Sequence, residues 1–138
     1  MKLKIAMVAI MALITGCTKT TYSPQAAVGL AVTESKMAPI LSKEVEGLSV
    51  KLGFTAKSSV GNAEYFAKTN QFQTTLNIED GKSFIMMGNL INANCVRLSV
   101  YSEQGKEDAS RVLMQLTDAL RNTKGVLMKV TDTPDCKQ

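Results

Sequence analysis

Histidine is absent from the 138 residues, so the commonest general base and the commonest metal ligand are both missing. A Ser-His-Asp hydrolytic arrangement cannot be assembled, no serine is followed three positions on by lysine, and no glycine-rich phosphate loop occurs. The obvious acidic pairs fare no better. Glu44 and Glu46 stand two apart on a predicted helix and point to different faces, and Glu79 and Asp80 share a predicted turn. Paired catalytic carboxylates must instead face each other across a substrate. Thioethers could handle a soft ion such as copper. Yet Met86 and Met87 are neighbours on a predicted strand, whose successive side chains point to opposite faces, and Met37, Met114 and Met128 read as core filler. This inventory disfavours an enzyme, and no cofactor or metal is expected.

Two charged residues and a short apolar run open the chain: Met1 to Lys4 is positive, and Ile5 to Ile14 is ten residues without a charge. A bilayer core needs about twenty apolar residues in a helix, so the run is too short to span and has the anatomy of an export signal. It ends Leu13-Ile14-Thr15-Gly16-Cys17. That sequence resembles the lipobox of bacterial lipoprotein precursors: a branched aliphatic, a small or hydroxyl residue, a small residue, then cysteine. The resemblance implies a diacylglyceryl group on the Cys17 sulfur, cleavage after Gly16 and acylation of the new amino terminus. Each buried methylene contributes roughly 0.8 kcal/mol, so two or three chains hold a protein on a membrane firmly. Thr18, where an aspartate would retain the protein at the inner membrane, resembles sorting to the outer membrane, with the inner membrane and the cell surface as alternatives.

Export would place Cys95 and Cys136 in an oxidising compartment, where pairing is the default. One disulfide is expected, tying the end of the chain back to the sheet, with two free thiols as the alternative because distant cysteines need not meet in space. Removing residues 1–16 also takes Lys2 and Lys4 away and leaves fourteen basic against twelve acidic side chains. The remaining charges are scattered and aromatic residues are few, which excludes the basic, aromatic-studded surface of a nucleic-acid reader.

Positioning elements follow from periodicity. Residues 18–25 are polar and read as a tether. Ala26 to Val32 is too apolar for a linker and too short to assign by period, and is expected to dock on the domain, so that 17–32 forms a lipidated tether and docking segment before a single domain over 33–138. Between Ser35 and Leu52, apolar residues recur at three and four, predicting an amphipathic helix with Pro39 in its first turn and Gly53 as its stop. Phe54 to Lys57 is expected to open a strand that breaks at Ser58 to Asn62. Ala63 to Thr69 and Phe72 to Glu79 are expected to pair as a hairpin, followed by the Glu79 to Lys82 turn, a strand from Ser83 to Ile91, a turn at Asn92 to Asn94, and a strand from Cys95 to Tyr101. A second helix is predicted from Lys106 to Thr123 and a final strand from Val126 to Thr131.

This order predicts an α+β two-layer sandwich, an antiparallel sheet of about five strands with two helices packed on one face. The strand from Ser83 to Ile91 is apolar on both sides, with Phe84, Met86 and Leu90 on one and Ile85, Met87 and Ile91 on the other. A half-solvated strand would alternate, so the side carrying Ile85, Met87 and Ile91, joined by Leu127, is a candidate recognition surface unless residues 26–32 cover it. The expected function is a non-enzymatic, membrane-anchored periplasmic lipoprotein that binds another envelope protein, as an assembly subunit or an inhibitor or immunity factor. The alternative is a small-molecule or lipid carrier with a cavity between helices and sheet.

Overall fold

Alternating burial builds the sheet strand by strand. The computed structural model describes residues 23–60 (the side chains of 56–60 excepted), 67–78, 82–125 and 128–137. Within them run β1 (Ala26–Val32), α1 (Met37–Lys51), β2 (Thr55–Val60), β3 (Gln73–Asn77), β4 (Phe84–Gly88), β5 (Cys95–Tyr101), α2 (Lys106–Arg121) and β6 (Met128–Thr131). On β3 the inward Thr74 and Leu76 are buried while Gln73, Thr75 and Asn77 are half-buried, the two-residue period of a strand with one covered face.

Both helices start and stop for local reasons. Pro39 sits in the first turn of α1, where its missing N–H has no intrahelical partner to lose. The helix ends at Gly53, whose φ of +89° is a conformation that side chains with a Cβ rarely adopt, and the Gly53 N–H donates to the Val50 carbonyl at 3.0 Å. Glu107 and Asp108 in the first turn of α2 and Arg121 in the last complement the helix dipole.

The strand order is β2-β3-β4-β5-β1-β6, with every neighbouring pair antiparallel. α1 carries the chain from β1 to the far edge at β2, and α2 carries it from β5 past β1 to β6. Both crossovers lie on one face, where Leu41 and Val45 of α1 and Leu116 and Leu120 of α2 meet Leu30, Leu98 and Val100 of the sheet, all essentially fully buried. The chain is thus an α+β fold with an antiparallel sheet and helices packed against it, as its element order predicts.

Three expectations are corrected. Ala26–Val32 is not a docking segment outside the domain but a strand paired on both sides, with β5 and with β6, so the domain includes it and, among the described residues, the sheet has six strands. Its period was hidden because the outward positions Ala27, Gly29 and Ala31 are small and apolar instead of polar. β2 does not break at Ser58 but continues to Val60, absorbing a register shift between Ala56 and Ser58. Residues 67–69 form a helical turn instead of the end of a strand, and β3 takes β2 and β4 as its partners. The predicted turn residues 79–81 and residues 126–127 lie outside the described residues.

Candidate functional site

A cross-strand row with a glycine on either side of an arginine shapes the face of the sheet opposite the helices. Register places Gln73, Gly88, Arg97, Gly29 and Thr131 side by side on β3, β4, β5, β1 and β6. Arg97 is therefore flanked by a glycine on each neighbouring strand. Beside this row, Met86 and Ser99 stand opposite each other, and further along Phe84 and Tyr101 stack with ring centroids 5.2 Å apart. The glycine at 88 is required by the backbone, because a Cβ there would lie 2.8 Å from the Phe72 carbonyl oxygen.

The C-terminal segment supplies a wall. After β6 the chain turns back across β1, with the Thr131 hydroxyl donating toward the carbonyls of Gly29 at 3.1 Å and Thr133 at 2.9 Å. A Cβ at Gly29 would meet the Thr133 carbonyl oxygen at 2.5 Å and the Cys136 Sγ at 2.7 Å, so only glycine lets the segment pass this close. Cys136, itself at a φ of +58°, then bonds to Cys95 on β5, with 5.9 Å between the Cα atoms. The disulfide expected from the two cysteines is present, and what lies over the outer face is this segment, not residues 26–32.

At the other end of β4 a tip projects. The buried Asn89 side chain holds it: its Oδ1 accepts the Phe72 N–H at 2.7 Å, and its Nδ2 donates to the carbonyls of Asn70 at 2.8 Å and Ala93 at 3.0 Å. Gln71 Nε2 adds a bond to the Leu90 carbonyl at 3.1 Å. With its backbone fixed in this way, the tip presents Leu90 and Ile91 to solvent, 48% and 87% exposed. Tip, C-terminal wall and the glycine row enclose a groove of about 430 Å³, lined among others by Pro24, Met86, Leu90, Ile91, Arg97 and Pro134.

One cation dominates the electrostatics of this groove. Among the described residues, no carboxylate lies within 4.0 Å of the Arg97 guanidinium. Asp135, on the wall, is engaged by Lys137, whose ammonium lies 3.3 Å away; the Lys137 backbone N–H, then its side chain, hold the Asp135 carboxyl below its usual range. Ser99 is buried, and the sequence contains no histidine to activate it. Among the described residues lining it, the groove sets the Arg97 guanidinium beside the apolar side chains of Met86, Leu90 and Ile91.

A smaller concavity of about 140 Å³ opens where Tyr101 and Ser102 meet α2. Its carboxylate, Asp108, accepts a 2.5 Å hydrogen bond from the Ser102 hydroxyl and pairs with Arg111. Those two contacts, in that order, hold the Asp108 carboxyl below its usual range. They satisfy it locally and leave no second acid across the opening.

The residues singled out from the sequence divide sharply. Cys95 and Cys136 are joined. Cys17 and Leu127 lie outside the described residues. Ile85 and Met87 are 0% and 1% exposed beneath the helices, so they form core and cannot be a recognition surface; Ile91, grouped with them, is at the tip. The faces of β4 are reversed relative to expectation, and the outward residues are Phe84, Met86 and Gly88. Asn89 escaped notice although a signal existed: it shares the inward parity of Ile85 and Met87, and a polar residue there needs buried partners. The outward facing of Arg97 follows from the alternation of Val96, Leu98 and Val100 with Arg97, Ser99 and Tyr101, but its two flanking glycines depend on register between distant strands.

Among the described residues, no helix is long and apolar enough to cross a membrane, and no cluster of three or more His, Cys, Asp or Glu side chains could hold a metal ion. No protein-family model, curated protein or solved structure matches this chain.

Proposed function

We propose that this chain is a lipid-anchored, non-enzymatic binding domain of the bacterial cell envelope that engages another envelope protein through the β4–β5 tip, as an assembly subunit or as an inhibitor or immunity factor. The carrying observation is the tip itself: Leu90 and Ile91 are held out into solvent by a fully hydrogen-bonded Asn89. Apolar side chains displayed on a rigid frame are what a partner's pocket takes up at low entropic cost. The lipobox-like Leu13 to Cys17 supports the anchor, and the chain from Cys17 to Pro24 spans at most about 25 Å when fully extended, which would keep the domain close to its membrane. The outer membrane is the favoured location, on the Thr18 signal.

Site-specific photocrosslinking in the native envelope tests the partner. A photoreactive residue at position 91 should give one adduct of discrete mass, and the same residue at the exposed Met114 of α2 should give none. Equal adducts from both positions, or none from either, would overturn the protein-binding reading. Intact-mass analysis of the same material should show Cys17 as the lipid-modified amino terminus.

A further inference from the structure

We infer that the groove on the outer face binds a single-chain anionic amphiphile, a free fatty acid or a lysophospholipid, with its acid group on Arg97 and its chain along Met86 toward Leu90 and Ile91. This goes beyond the proposed protein contact at the tip. It also puts the ligand on the opposite side of the sheet from the space between helices and sheet, which is filled by side chains such as Leu41, Leu98 and Leu116.

Three observations select this occupant. Charge comes first. The Arg97 guanidinium has no carboxylate within ion-pair distance among the described residues, and Asp135, the acid on the wall, is engaged by Lys137. A guanidinium presents a planar fork of donors that matches a carboxylate or phosphate, and against apolar walls such a bond is stronger than in open water. The outward strand positions nearest Arg97 are Gly88 and Gly29 on the neighbouring strands and Cys95 and Ser99 on its own, none of them acidic.

Backbone accounting comes second. The floor of the groove is the face of β4 and β5, each paired on both sides in the sheet, so the floor's N–H and C=O groups are already used. A peptide laid along it would leave its own backbone groups short of partners, which is costly, whereas an acyl chain has none to satisfy. Capacity comes third. About 430 Å³ lies near the lower end of the roughly 300–1,000 Å³ typical of sites for one small organic molecule. That suits one acyl chain better than a two-chain phospholipid.

The test uses the full chain in envelopes of a host that processes it, with two probes added separately: a photoreactive palmitate and a photoreactive lysophosphatidylglycerol. Labelling should saturate with at least one probe and map to Met86, Ile91 or their immediate neighbours. It should be displaced by excess unlabelled palmitate or lysophosphatidylglycerol and not by palmitate methyl ester, which lacks the charge. Arg97→Glu should reduce it roughly tenfold or more, as expected for loss of a charge-assisted hydrogen bond worth about 1.5–3 kcal/mol, and Arg97→Lys should restore part of it. Arg97 is exposed between two glycines, so these variants should fold; an unchanged melting temperature and an intact Cys95–Cys136 bond check that. Which probe saturates distinguishes a carboxylate from a phosphate head. Non-saturating label, label spread over α1 and α2, or label indifferent to Arg97→Glu means contact with bulk lipid and overturns the proposal. A protein adduct from position 91 reports on the tip contact, whereas lipid label at Met86 that depends on Arg97 reports on the groove.

Discussion

The two faces of one sheet are built from alternate residues of the same strands, yet they obey different rules. On the helix side, Ile85, Met87, Leu98 and Val100 interdigitate with α1 and α2 and are essentially fully buried. One position along, Met86, Gly88 and Arg97 form the floor of an open groove walled at one end by the C-terminal segment and its disulfide. The inner face is stabilised by apolar burial and close packing. The outer face depends on one covalent bond and on glycines that let chain segments approach, so its shape is set by connections and not by a core. A molecule divided like this can alter its outer surface with little effect on its fold.

Breaking the covalent bond should have the largest effect. Replacing Cys95 and Cys136 by alanine releases a loop of separation 41, for which loop entropy predicts a loss of roughly 4 kcal/mol, read from the shift of the denaturant midpoint. The groove wall should go with it, so labelling at Met86 and Ile91 should fall in the same variant. Gly29→Ala should cost about 1–3 kcal/mol with the bond intact, because its new Cβ meets a backbone oxygen that cannot swing aside. The cost should shrink once both cysteines are replaced and the segment can lift away. A Gly29→Ala penalty identical in both backgrounds would mean that the C-terminal segment does not press on β1.

Adjacent methionines sharpen the comparison of faces directly. Met87→Ala empties a buried site and should cost about 3 kcal/mol, whereas Met86→Ala on the groove floor should cost less than about 1 kcal/mol. Equal losses would show that the two faces do not differ in packing. The smallest expected effect is at Asp108, at the junction of β5 and α2. Its carboxyl is held below the ordinary value of 3.8 by the Ser102 hydroxyl and then by Arg111, so the unfolded chain binds the proton more readily. The resulting stability is complete above the ordinary carboxylate range and is lost as pH falls below 3.8 through the lower folded value. Asp108→Asn should remove less than about 1 kcal/mol at neutral pH, since the pair is partly solvated, and should flatten the acid limb of the stability curve.

Element types were legible in the chain because they rest on local spacing: three-and-four recurrence in α1 and α2, two-residue alternation in β3 and β5. So was the pairing of Cys95 with Cys136, the two cysteines left once Cys17 is set aside as the expected lipid site. β1 was not legible, because its outward positions are small enough for another segment to cross them and so lack the polar residues that reveal a period. β4 was read as apolar on both sides, correctly, but with its faces exchanged.

By itself the sequence determined both helices, the strands β3, β4, β5 and β6 and their α+β arrangement, since periodicity and chain order are local properties. Tertiary structure alone decided which side of β4 meets the helices, that residues 26–32 enter the sheet, and that Arg97 lies between two glycines. The physical reason is that a strand apolar on both sides has no inside of its own: its facing is imposed by register with β3 and β5, whose Leu76, Leu98 and Val100 bring Ile85 and Met87 under the helices with them.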